Sequence, residues 1–380
     1  MTSDYLGIDV ALSGDGRTMA VGAYYGDPNN VRNAGYVRMY NKTFENWYMF
    51  QQLNGNGEWD NFGYSLDLSE DGSTLAVSSY NRAAHIYEFS NSTSRYELLN
   101  TELNDVMEVA VSGDGKVVGV TFTGSGKGAR IFEKNGARFQ QRGSDFTVYG
   151  FKGGIALNYD GDIVIIGDSY WSPHRDRAGV FQWKDENNDG SMHWVQLGDD
   201  ITADVAGDLI GGIGSVSITH DGLTVAVGAS GYDGDGTDKG LVRVYNYAEP
   251  EQTWKQSGVD LVGDNSYDEF SRTSLSSDGT YLTVGAYVGN YVKIFGKNGN
   301  NYDIIGEKVN GELGYFGSSV DMSADASAVA IGAYFFESRK GRGYLYHTGV
   351  STSPPSTITS PSMSTPVLPP PSGNGNGGMY

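Results

Sequence analysis

Along residues 1–350, short apolar runs alternate with polar turns, and the same order of parts returns again and again. A run that alternates small or polar with apolar residues comes first, as in Tyr64-Ser65-Leu66-Asp67-Leu68 or Ser318-Ser319-Val320-Asp321-Met322. An Asp-Gly turn follows, and Asp-Gly between alternating hydrophobics is the strongest short-range hairpin signal. The next run is continuously apolar, as in Met19-Ala20-Val21-Gly22-Ala23, Val225-Ala226-Val227-Gly228-Ala229 and Val329-Ala330-Ile331-Gly332-Ala333. Such a run suits a strand buried on both faces. After a variable loop a third run alternates again, as in Gly240-Leu241-Val242-Arg243-Val244-Tyr245. A polar turn such as Asn135-Gly136 or Asn298-Gly299 then leads to an outer strand opened by Trp47, Tyr96, Phe139, Trp194, Trp254 or Tyr302.

The turn recurs at Ser13-Gly14-Asp15-Gly16, Ser69-Glu70-Asp71-Gly72, Ser112-Gly113-Asp114-Gly115, Asn158-Tyr159-Asp160-Gly161, Thr219-His220-Asp221-Gly222 and Ser276-Ser277-Asp278-Gly279, then decays to Ser323-Ala324-Asp325-Ala326. The spacing is 43 to 61 residues. A period near 50 marks a propeller or solenoid, in which each unit buries its faces only against its neighbours. Four antiparallel strands per repeat make one propeller blade, and seven blades lie in the usual range. Residues 1–350 are therefore expected to form one all-β, seven-bladed β-propeller of four-stranded blades, with no helix. The first repeat starts almost at once at Gly7-Ile8-Asp9-Val10, and the last ends after its third strand, Gly343-Tyr344-Leu345-Tyr346. Either the ring closes by packing alone, or the chain is part of a longer protein.

Composition narrows the partners. Residues 351–380 hold seven of the ten prolines, with Ser, Thr, Gly and Asn and no charge, and read as a disordered linker or stalk. The net charge of −20 therefore sits on the propeller, which disfavours nucleic acid and anionic membrane surfaces. No apolar stretch reaches the roughly 18 residues of a membrane span, so no direct membrane insertion is expected. No signal peptide is visible at the N-terminus. The absence of cysteine excludes disulfides and thiol chemistry. Two glycosylation sequons, Asn41-Lys42-Thr43 and Asn91-Ser92-Thr93, fall at the turn expected between third and outer strands. With the Ser/Thr/Pro stalk they point to the cell surface or exterior.

The repeats resemble FG-GAP repeats, the units of the integrin α-subunit β-propeller. Phe62-Gly63 and Phe316-Gly317 match the opening of that unit. Gly22-Ala23-Tyr24, Gly228-Ala229-Ser230, Gly285-Ala286-Tyr287 and Gly332-Ala333-Tyr334 match its Gly-Ala-Pro, with the proline replaced. The resemblance covers residues 7–346, although the second, third and fourth repeats lack Gly-Ala. It implies a β-propeller used for adhesion. Calcium-binding members carry a long Asp-rich loop between first and second strands, whereas this chain has a short turn there, so that metal site is expected to be absent. The turn Ser-x-Asp-Gly also resembles that of propeller repeats with a Ser-Pro-Asp-Gly core.

Loops joining strands two and three share one face with those joining successive blades. They carry Tyr24, Tyr25, Tyr80, Tyr170, Trp171, Tyr232, Tyr287, Tyr334 and Phe335, with Trp59, Tyr267 and Tyr315 beside acids such as Glu58, Asp60, Asp268, Glu269 and Glu312. Exposed aromatics rimmed by polar groups suit recognition of a protein or a glycan; the alternative is that the rings pack between blades. Two loops have the composition of a Ca²⁺ site. Asp233, Asp235 and Asp238 place three carboxylates around glycines. Asp185, Asn187 and Asp189 open like a calcium loop, but its twelfth position is Gln196. Ca²⁺ is thus the one cofactor expected.

The five histidines are scattered, and neither a nucleophile elbow nor a phosphate-binding glycine loop is present. The expectation is a non-enzymatic binding or adhesion module for a protein or glycan. The alternatives are a saccharide hydrolase with carboxylates at the channel mouth and an intracellular assembly scaffold.

Overall fold

The computed structural model describes residues 3–350 except 45, 81, 124–127, 148–152, 170–175 and 206; of 100–104 it describes the backbone alone. The Ser-x-Asp-Gly turns fold as the sequence predicts. Ser13 Oγ donates to Asp15 Oδ1 at 2.7 Å while accepting the amide of Thr18 at 2.9 Å. Ser69, Ser112, Ser276 and Ser323 repeat the serine–aspartate bond. Gly72 sits at φ +69, the left-handed region that glycine occupies without cost; in the decayed turn Ala326 takes φ +58.

Every sheet is antiparallel and runs in sequence order. The first contains Val10–Leu12, Thr18–Ala23, Tyr36–Thr43 and Asn46–Asn54. The second, eight-stranded, spans Phe62–Leu68 to Arg138–Gln141 with Phe146–Thr147 added beside Gly128–Asn135. It joins two repeats because Arg95–Val111, one unbroken strand of 17 residues, is the last strand of one and the first of the next. The others begin at Ile155–Leu157, Val216–Ile218 and Phe270–Leu275. The last, Val320–Met322, Ala328–Ala333 and Arg342–His347, has three strands, as the missing outer aromatic predicted. Against the expectation of no helix, short helical turns occur at Pro28–Asn30 and Phe336–Arg339.

The first strands of the repeats form a closed circle. Val10–Leu12 touches Phe62–Leu68, which touches Arg95–Val111, then Ile155–Leu157, Val216–Ile218, Phe270–Leu275 and Val320–Met322, which returns to Val10–Leu12. The cores lie between sheets: Ala11, Ala20, Val37 and Met39 of the first pack on Phe62, Leu66, Leu75 and Val77 of the second. Each unit thus buries its faces only against its neighbours. Closure is by packing and backbone pairing. Leu6, Val10 and Leu12 pack with Ala328, Ala330 and Leu345, and Leu6 makes a parallel bridge to Gly341.

The Gly-Ala pair now has a cause. A Cβ on Gly22 would lie 2.2 Å from the carbonyl oxygen of Gly63, and one on Gly332 would lie 2.2 Å from that of Gly7. Backbone of the next repeat occupies the space, so only glycine fits. Outer-strand aromatics brace the turns: Tyr96 Oη donates to Gly72 O and Tyr302 Oη to Gly279 O, each at 2.5 Å.

Candidate functional site

First strands run from the Phe-Gly end of the ring to the Asp-Gly end, so each end gathers one class of loop. At the Phe-Gly end, nine rings form a continuous belt. Tyr80 meets Tyr64 at 4.6 Å between centroids, Tyr64 meets Tyr24 at 5.5 Å, and Tyr24 meets Tyr25 at 4.3 Å. Tyr25 continues to Tyr5 at 5.2 Å, and Tyr5 stacks on Tyr334 at 5.8 Å. Tyr334 stacks on Tyr315 at 5.3 Å, and Tyr315 reaches Phe335 at 5.4 Å and Tyr287 at 5.9 Å. None of the nine is fully buried, and Phe335 is 37% exposed. Burial raises the Tyr24, Tyr64 and Tyr287 hydroxyls above the usual tyrosine range and that of Tyr334 to about 12, so all stay protonated donors.

The belt brings together Tyr24, Tyr25, Tyr80, Tyr287, Tyr315, Tyr334 and Phe335 of the expected face. It omits Trp59, which lies under the Arg32 guanidinium at 4.4 Å, and Tyr232, which packs half-buried on a core cluster. Tyr170 and Trp171 lie outside the described residues. Tyr5 and Tyr64 are additions. Tyr64 directly follows Phe62-Gly63, where other repeats carry Ile8, Gly214 or Ser318, and that size difference was the available signal.

The expected calcium loops are held by other bonds. Asp233 accepts the amide of Asp238 at 3.0 Å, and Asp235 pairs with Lys239 at 2.5 Å. Asp185 accepts the amides of Asp189 and Gly190, and Asp189 that of Ser191, so this stretch, which includes Asn187, is a hairpin turn closed by its own acids. Among the described residues no three His, Asp or Glu side chains converge in a group that could hold a metal ion. Of the two sequons, Asn91 lies in an exposed turn after Arg82–Ser90. Asn41 instead lies half-buried inside Tyr36–Thr43, paired with Thr18 and Tyr48, because that strand runs further than the sequence suggested.

Below the belt lies an axial cavity of about 220 Å³ lined by Asp9, Ser65, Asp67, Glu108, Ser217 and Asp321 with their neighbours. Of the positions four and two residues before the turn serine, Asp9, Ser65, Asp67, Glu108, Ala156, Ser217, Ser274 and Asp321 line it. Three of the acids tie adjacent first strands together. Asp9 accepts from Leu66 N at 2.8 Å, Asp67 from Val111 N at 2.7 Å and Asp321 from Leu12 N at 2.7 Å. Burial raises Asp9 to about 6, against the bonds from Ser319 and Leu66 that lower it. Burial, and then the charge of Asp321, raise Asp67 to about 8; burial raises Asp321 to about 7. Glu108, also raised by burial, reaches across to accept Gly214 N at 2.9 Å through Oε1. At the Asp-Gly end, Glu70 pairs with His220 between non-adjacent repeats, and Tyr159 lies against the His220 ring at 4.8 Å.

No curated protein matches the chain in sequence. Among solved structures, the hydrazine synthase of Kuenenia stuttgartiensis superposes with a TM-score of 0.60 at 13% identity, covering 90% of this chain and 96% of that one. The β-propeller domain of Cps50 (Swd1) from Myceliophteria thermophila gives 0.59 at 11% identity, with 87% and 93% covered. The periplasmic gluconolactonase PpgL of Pseudomonas aeruginosa gives 0.54 at 13%, with 79% and 84% covered. Likeness at such identity establishes the β-propeller fold alone. In sequence, residues 1–37 match the family model of the FG-GAP repeat, so the chain opens with the repeat that its Gly-Ala and Phe-Gly positions resemble.

Proposed function

We propose that this chain is a seven-bladed β-propeller and that it is a non-enzymatic glycan-binding module; the linker expected at 351–380 lies outside the described residues. The observation that carries the binding role is the continuous belt of partly exposed rings at the Phe-Gly end of the ring. Tyrosines offer a stacking face and a hydroxyl that both donates and accepts, which matches the alternating C–H and O–H faces of a sugar. Binding sites concentrate their energy in a few such anchors. An exposed Asn91 sequon fits a chain outside the cell.

A glycan array followed by titration calorimetry tests the reading. Tyr25→Ala and Phe335→Ala should each weaken glycan binding by about tenfold, near 1.4 kcal/mol, with an unchanged melting temperature. Equal loss of binding and stability would make the rings structural.

One observation favours hydrolysis as a second reading. With Asp9 near 6 and Asp67 near 8, an ionised and a protonated carboxyl coexist in the channel at neutral pH. Silence of the folded protein on a panel of glycosides and lactones would remove it.

A further inference from the structure

Asp9, Ser65 and Glu108 line the channel four residues before their turn serines, and Arg272 and Ser319 hold the same place in their strands. Two of these differ from the rest in how their polar atoms are used. Glu108 is 7% exposed; its Oε1 is held by Gly214 N–H, and its Oε2 lines the cavity region with no hydrogen-bond partner. Arg272 has no partner at Nε, and no carboxylate lies within ion-pair distance of it among the described residues. Its guanidinium sits 5.2 Å from the centroid of Tyr287, at the inner edge of the belt.

Both side chains converge on Gly214. Arg272 Cδ and Nη1 lie 3.4 Å from where a Gly214 Cβ would stand, and the Gly214 amide holds Glu108. An acceptor and a donor around Gly214 are therefore left without partners. The charge of Arg272 reaches Glu108 and Asp9 below and the Tyr64, Tyr287 and Tyr334 rings above, so the group stands where belt and channel meet.

We propose that this junction is a subsite for the terminal sugar of a bound glycan: one of two adjacent hydroxyls donates to Glu108 Oε2, the other accepts from Arg272, and the sugar ring lies against the belt. Each sugar hydroxyl is both donor and acceptor, so two neighbouring ones can serve an acceptor and a donor at once. Glycan is then read end-on, with the chain leaving across Tyr24, Tyr25 and Tyr5. The inference rests on the glycan-binding reading above.

The experiment is titration calorimetry with neutral trisaccharides (cellotriose, maltotriose and chitotriose) on wild type, Glu108→Gln, Arg272→Gln, Arg272→Lys and Tyr25→Ala, each checked for its melting temperature. At least one trisaccharide should bind wild type. Glu108→Gln and Arg272→Gln should each weaken it about tenfold, and Arg272→Lys, which keeps the charge but not the fork, should weaken it too. If Glu108→Gln does not fold, the two Arg272 variants carry the test. Wild-type affinity in the junction variants, with loss in Tyr25→Ala, would overturn the subsite and leave the belt, with water alone at the junction. No binding of any trisaccharide to wild type would overturn the glycan reading itself.

Discussion

The amide N–H of Ala324 donates to the carbonyl oxygen of Gly14 at 2.9 Å, and this bond closes a circle of turns. Gly14 N reaches Glu70 O and Glu70 N reaches Gly113 O; Asp114 N then reaches Tyr159 O, Tyr159 N His220 O, His220 N Ser277 O and Ser277 N Ala324 O. One end of the ring is thus laced by backbone. Ala324 is the second residue of its turn, where proline fits the backbone but carries no N–H. Ala324→Pro should therefore lower stability by about 1 kcal/mol, read by chemical denaturation, while Ala324→Ser stays at wild type.

Two glycines of different purpose should separate cleanly. Gly22→Ala drives a methyl against the Gly63 carbonyl and should cost about 3 kcal/mol or prevent folding. Gly72→Ala meets nothing closer than 3.6 Å and should cost about 1 kcal/mol, the left-handed penalty alone. Similar losses in both would remove the close-approach argument.

Removing one hydroxyl tests the turn braces. Tyr96→Phe and Tyr302→Phe leave the Gly72 and Gly279 carbonyls without that donor and should each cost about 1 kcal/mol. Trp47, the corresponding aromatic of the first repeat, has a buried Nε1 without a partner, so Trp47→Phe should cost less than either.

Stability should fall as pH rises across neutrality. The channel carboxyls of Asp9, Asp321 and Asp67 hold their protons to about 6, 7 and 8 in the fold but only to about 4 once unfolded. Between those values the folded state binds more protons, so their contribution is complete below pH 4 and is lost as pH climbs through the folded values. The melting temperature should drop between pH 5 and pH 8.5. Asp67→Asn should flatten the upper part of that profile; an unaltered profile would contradict the assignment.

The ring was legible in the chain because its cause repeats in residue type: the serine, aspartate and glycine of each turn are fixed by bonds each copy makes in the same way. The Gly-Ala positions were legible for the same reason. The channel was not, since Asp9, Ser65, Glu108 and Arg272 share a place in the strand but not a chemistry. Their significance comes from which repeats face one another across the axis, which no single repeat encodes. The belt was half legible. Loop aromatics such as Tyr25 and Phe335 stood out, while Tyr5 precedes the first repeat and Tyr64 sits within a strand. Acid-rich loops misled, because Asp235 and Asp185 serve a lysine and a backbone turn as readily as a cation.

The unbroken strand Arg95–Val111 has a mechanical meaning. Residues 95–102 hold the ladder to Arg82–Ser90 and residues 106–111 the ladder to Val117–Phe122, so an insertion between them would enlarge a bulge and leave both registers in place. With no loop between them to take up slack, these two repeats should give way together under force.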